Sequence, residues 1–147
     1  MFNKILLPVD MQDKETAGKA LKEASRYLAD EQAELHVMAV LPGLNMPIVA
    51  AYFPTDTVEK ALRGLQQELH QLVQQTVPEL KHCYEHIGEG SPAREIIRLA
   101  KKLKTELIVM PSHNYTRVEN ILIGSVTSKV VARAHCSVMV LREVDVK

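Results

Sequence analysis

Residues Leu107–Ser125 read LIVMPSHNYTRVENILIGS, and their pattern decides the fold. The stretch opens on an uninterrupted apolar run, Leu107-Ile108-Val109-Met110, the signature of a strand covered on both faces. A polar loop follows, then Ile121-Leu122-Ile123, then the pair Gly124-Ser125. Beyond that pair the period changes. Val126, Val130, Val131 and Ala134 fall on one face of a helix. The stretch is therefore a buried strand, a polar loop and a helix that starts at Gly-Ser. Such a start can hold a phosphate, because the first backbone N–H groups of a helix lack intrahelical acceptors and carry the positive end of its dipole. Gly124 allows close backbone approach and the Ser125 hydroxyl adds a donor. The same pair is also an ordinary helix cap, so the rest of the chain has to supply the context.

Working outward, the chain repeats this alternation. Lys4–Val9 is a short apolar strand that ends at Asp10. Asp13 caps a helix whose Ala17, Ala20, Leu21, Ala24 and Leu28 share a face. Glu34–Leu41 is the second strand; His36 inside it reads as a packed histidine. Residues 42–56 hold three prolines and an apolar middle, a loop that either covers a ligand or a partner surface or packs as a satellite of the core. From Asp56 a long amphipathic helix carries Val58, Ala61, Leu62, Leu65, Leu69, Leu72 and Val73 inward and ends before Pro78.

Leu80–Ile87 alternates weakly and is the third strand, with His82, Tyr84 and His86 on one side. A metal pair there lacks a third ligand nearby in sequence, so no metal site is assigned. Ser91 and Pro92 cap and open the next helix, whose Ile96, Ile97, Ala100 and Leu103 face inward. Lys101, Lys102 and Lys104 suit its C-terminal dipole. Glu106–Met110 is the fourth strand, Gly124–Ala134 the last helix and Ser137–Leu141 the fifth strand.

Strand-helix repeated four times with a closing strand implies an α/β fold: a doubly wound, Rossmann-like five-stranded parallel sheet with helices on both faces. One domain over residues 1–147 is expected from the length. Ligands of such sheets bind beyond the carboxyl ends of the strands. If the first and fourth strands are neighbours, Asp10, Ser112, His113, Gly124 and Ser125 meet in one crevice. The 18 basic and 18 acidic residues cancel, which argues against a nucleic-acid or anionic-membrane surface. No apolar run is long enough to span a bilayer, and Cys83 and Cys136 are read as reduced thiols, so a cytoplasmic location is expected.

The blocks ILLPVD (Ile5–Asp10), HVMAV (His36–Val40), GSPAREII (Gly90–Ile97), LIVMPSH (Leu107–His113) and LIGSVTSKVVARAHCSVMVLR (Leu122–Arg142) resemble the universal stress protein family over essentially the whole chain. ATP-binding members of that family have G-x2-G-x9-G-S/T after the fourth strand. This chain keeps the spacing and the final Gly124-Ser125 but has Pro111 and Asn114 at the first two glycines. Proline has no N–H to offer a phosphate and cannot adopt positive φ, whereas Asn tolerates the left-handed region.

The resemblance implies ATP, ADP or AMP as ligand, with magnesium as a possible bridge between phosphates, and a regulatory role in stress response. It implies that Pro8 and Val9 line the base pocket, and that Asp10 and Val40 recognise adenine and ribose. Met110, Pro111, Ser112, His113 and Asn114 would wrap the ribose and phosphates, and Gly124, Ser125, Val126 and Thr127 would hold the phosphates. Arg117 is a candidate cation or an exposed loop residue. The resemblance also implies a homodimer formed through Ser137–Leu141. No catalytic residue is assigned: there are no paired carboxylates, no activated nucleophile and no Gly-Lys-Ser/Thr phosphate loop, so at most slow ATP hydrolysis is expected. The alternative is a dimeric stress or interaction module without nucleotide, for which Pro111 is the argument.

Overall fold

A computed structural model describes residues 1–42, 55–111 and 124–142, with Thr55 by its backbone alone. Five strands, β1 (Lys4–Pro8), β2 (Glu34–Pro42), β3 (Cys83–Gly90), β4 (Leu107–Pro111) and β5 (Ser137–Leu141), form one sheet in the order β3-β2-β1-β4-β5. Every pairing is parallel. Four helices connect them: α1 (Lys14–Ser25), α2 (Thr55–Thr76), α3 (Pro92–Leu103) and α4 (Ser125–Arg133). The doubly wound parallel fold expected from the alternation is the fold observed.

Strand periodicity divides the core between two faces of the sheet. Ile5, Leu7, Leu35, Val37, Leu107 and Val109 pack with Ala17, Leu21 and Ala24 of α1 and Leu69 and Val73 of α2. Leu6, Met38, Ile108 and Met110 pack with Ala93, Ile96 and Ala100 of α3 and Val130 of α4. Leu6, Leu7, Leu35 and Ile108 are fully buried, as continuous apolar runs in a covered parallel sheet require.

Three local devices fix the frame. Asp13 caps α1 by accepting from the Thr16 N–H at 3.1 Å. Lys4 donates from Nζ to the Leu103 carbonyl at 2.9 Å and so satisfies an acceptor at the C-terminal end of α3. Glu106 Oε1 accepts from the Asn3 N–H at 2.7 Å, which ties the entry of β4 to the entry of β1. With Ile5 registered on Leu107 and Leu6 on Ile108, the first and fourth strands are neighbours.

The third strand differs from its reading as Leu80–Ile87. It runs Cys83–Gly90, three residues later at both ends. Leu80 instead closes a turn, donating to the Val77 carbonyl at 3.2 Å. Pairing begins at Leu35 with Cys83 and continues to Pro42 with Gly90, where φ of +118° ends the strand. Leu28 lies past the end of α1 and reaches the core from the following turn, beside Phe2.

Candidate functional site

Sheet order creates the site. From β1 the chain winds first to β2 and β3, then back across to β4 and β5, so the reversal falls between β1 and β4. In such sheets a crevice opens at the carboxyl ends beside that reversal. Here Val9 N–H donates to the Met38 carbonyl at 2.7 Å, carrying the ladder one residue past β1. Asp10 then stands exposed at the rim. Its Oδ1 accepts from the Gln12 N–H at 2.9 Å and its carbonyl accepts from the Asp13 N–H at 3.1 Å, a turn that leads into α1.

On the opposite bank β4 ends at Pro111 and α4 begins after Gly124, its N-cap. The first helical bond of α4 runs from the Ser128 N–H to the Gly124 carbonyl at 2.9 Å. The N–H groups of Ser125, Val126 and Thr127 therefore precede the intrahelical ladder. Gly124 has φ of −63° and ψ of 162°, extended backbone rather than the left-handed region, so its value here is the missing side chain.

Between these banks lies a cavity of about 660 Å³. It is of the size that holds a small organic ligand. Pro8, Val9, Asp10, Val40, Met110, Pro111, Gly124, Ser125, Val126 and Thr127 all line it. These are the candidates named from the sequence, brought together by two strand ends and one helix start. Ser112, His113, Asn114 and Arg117 lie outside the described residues, as do residues 43–54 of the proline-containing loop.

The lining also holds residues that sequence reasoning missed. Met38, Ala39, Leu41 and Pro42 come from the carboxyl half of β2, Leu65 and Glu68 from α2, and Pro92 and Ile96 from the start of α3. Met11 and Gln12 complete it beside Asp10. Proximity of Met11 and Gln12 to Asp10 in sequence was a usable signal; Leu65 and Glu68 needed the tertiary position of α2. Val9, Met38, Val40 and Met110 give the cavity apolar walls, suited to a planar ring. Asp10 and Glu68 are its titratable side chains among the described residues, and Glu68 pairs with Lys14 at 4.0 Å. Apolar walls together with the first-turn N–H groups of α4 suit a ligand with a flat base and an anionic tail.

A second polar cluster lies on the α3-facing side of β2 and β3. His36 is buried, as expected, yet it also meets His86: Nδ1 of His36 is 2.8 Å from Nε2 of His86. Nε2 of His36 meets Glu34 Oε1 at 3.1 Å. Tyr84 stacks on His36 with ring centroids 5.0 Å apart. Burial lowers the proton affinity of both imidazoles. Burial also pushes the Cys83 thiol up to about 11, with Glu85 adding to the shift, and raises that of Cys136. Both thiols are free.

The sheet order and its helices define a doubly wound α/β protein of Rossmann-like build, with a crevice at its strand reversal. The family model of the universal stress proteins matches residues 1–142, and the chain belongs to that family. It is 32% identical to universal stress protein MJ0531 of Methanocaldococcus jannaschii over 97% of this chain and 84% of that protein. It is 30% identical to universal stress protein G of Shigella flexneri over 97% of this chain and all of that protein.

Solved structures repeat the fold. The hypothetical protein MJ0577 superposes with a TM-score of 0.77 at 24% identity, covering 99% of this chain and 100% of that one. A universal stress protein in complex with cAMP gives 0.66 at 18% identity, over 96% and 97% of the two chains. The universal stress protein from Archaeoglobus fulgidus in complex with dAMP gives 0.59 at 19% identity, over 95% and 97%. Among the described residues no helix is long and apolar enough to cross a membrane.

Proposed function

We propose that this chain is a nucleotide-binding regulator of the stress response, holding an adenine nucleotide in the crevice between β1, β2, β4 and the start of α4. The observation that carries the reading is the shared cavity itself, in which Val9, Val40 and Met110 face the same space as Gly124, Ser125 and Thr127. The base lies against the apolar walls, Asp10 takes the ribose or base edge, and the N–H groups of Ser125, Val126 and Thr127 receive phosphate oxygens. Ser112, His113 and Asn114, which lie outside the described residues, are proposed to contact the ribose and phosphates as well. The adenine monophosphates held by two proteins of the same fold support the choice of ligand class.

The nucleotide is ATP, ADP or AMP, with magnesium bridging the phosphates of the longer forms. The chain acts as one domain over residues 1–147, in the cytoplasm, as a homodimer paired through Ser137–Leu141. Binding is its activity, with at most slow ATP hydrolysis. Pro111 favours a second reading, a dimeric interaction module without nucleotide, because a proline at the exit of β4 has no N–H for a phosphate.

Thermal unfolding of nucleotide-stripped protein tests the choice. A ligand at 100 times its Kd stabilises the native state by about 2.7 kcal/mol. A clear rise in Tm with AMP, ADP or ATP, absent with the same concentration of phosphate, is expected. No rise with any of the three supports the module reading.

A further inference from the structure

We infer that His36 and His86 form a binding site for one divalent transition-metal ion, Cu2+ above Ni2+ and Zn2+, separate from the nucleotide crevice. Neither histidine lines the crevice. They come from different strands, fifty positions apart in sequence, and the β2–β3 register brings them together: His36 sits opposite Tyr84 and Met38 opposite His86.

The site is built from its outer partner inward. Glu34 Oε1 is 3.1 Å from His36 Nε2, and Lys4 Nζ lies 3.9 Å from the other Glu34 oxygen. An ionised carboxylate only accepts, so the hydrogen of the neutral His36 ring sits on Nε2. Its Nδ1 then presents a lone pair toward His86 Nε2 at 2.8 Å. A carboxylate that orients an imidazole and raises its basicity is the usual outer shell of a metal-bound histidine. Tyr84 and His86, both on β3, each stack on the His36 ring with centroids 5.0 Å apart.

The 2.8 Å between the two nitrogens is the length of the N–H···N hydrogen bond that closes the pair when no ion is bound. Imidazole ligands favour copper over nickel and zinc among the divalent ions. For the ion to enter, His86 shifts its hydrogen from Nε2 to Nδ1 and both rings turn so that the lone pairs of the two nitrogens, which face each other in the hydrogen bond, converge on the ion; no proton is lost. His86 is half-buried and Tyr84 is exposed on the edge strand, so water completes the coordination. Among the described residues no three-ligand metal cluster exists, and the site is a two-imidazole site open to solvent. Lys102 near His86 and Lys4 near His36 oppose the ion, and Glu34 offsets them.

The test is titration of the full chain with CuCl2, then NiCl2, at pH 7.5, followed by electron paramagnetic resonance of the copper form. The expected result is one ion per chain with two equatorial imidazole nitrogens. His86→Gln, at a half-buried position, lowers affinity about tenfold or more and leaves one nitrogen; Glu34→Gln lowers it about tenfold through the outer shell. His82→Gln and His135→Gln change neither value. The proposal is overturned if wild type binds no ion, if His86→Gln binds as wild type does, or if His82→Gln or His135→Gln removes the nitrogen signal.

Discussion

Gly88 of β3 and Met38 of β2 meet on the α3-facing side of the sheet, so closely that a Cβ at position 88 would lie 2.9 Å from the Met38 Cε. Met38 also lines the crevice, as does Val40, whose Cγ2 would lie 3.5 Å from the same Cβ, so a side chain at position 88 would press on the wall of the proposed ligand site. Gly88→Ala gains backbone entropy but displaces the Met38 methyl, the flexible end of its side chain. Stability within about 1 kcal/mol of wild type is expected. Nucleotide affinity falls, because the moved methyl reshapes the wall. Equal affinity for the two proteins, measured by titration, would show that the Met38 wall does not touch ligand.

Asp10 links stability and recognition differently. Its carboxylate holds the turn into α1 through the Gln12 N–H. Asp10→Ala costs about 1 kcal/mol of stability by losing that bond, and loses about tenfold or more in nucleotide affinity, the worth of one hydrogen bond to a charged group. Denaturant melts and binding titrations on the same preparation separate the two. A variant that binds nucleotide as wild type does removes Asp10 from the site.

Much of this arrangement was legible in the sequence. Leu107–Met110 and Ile5–Leu7 are covered on both faces, and a strand so placed shows as an unbroken apolar run. Gly124-Ser125 marked the helix start that faces the crevice. The bounds of β3 were harder to read because it is an edge strand with half-buried side chains, and its alternation is weak. Leu65 and Glu68 carried no local mark of their site role; only the packing of α2 across the sheet brings them to the crevice. The His36–His86 contact depends on strand register, which side-chain pattern alone does not fix across fifty residues.

The buried histidines give stability a pH dependence. His36 and His86 are both lowered from the ordinary 6.5 in the folded chain, burial being the main cause; Glu34 partly offsets it at His36, while the charges of His36 and Lys102 add to it at His86. The unfolded chain therefore takes up protons first as pH falls. Their contribution is complete above the unfolded value of 6.5 and is lost as pH drops through and below it. The urea midpoint is expected to hold from pH 8 to 7 and to fall between pH 6.5 and 5. His86→Gln flattens part of that fall. A midpoint that rises on acidification contradicts the burial of the pair.

At the other edge, β5 is half-buried along Val138–Leu141 and its outer side has no strand neighbour within the described sheet. If this edge pairs with a second copy, sedimentation gives twice the mass of the chain. Val140→Pro, which removes a backbone donor, shifts the species toward monomer. A wild-type monomer at high concentration contradicts the homodimer.

The central claim is that the crevice holds an adenine nucleotide despite Pro111. Calorimetric titration of the stripped protein with ATP and AMP, with and without magnesium, tests it most directly, with Ser125→Ala and Pro111→Gly alongside. Saturable micromolar binding by the wild type, weakened by Ser125→Ala and strengthened by Pro111→Gly, is the predicted result. No heat from the wild type at millimolar nucleotide, with binding appearing only in Pro111→Gly, would contradict it.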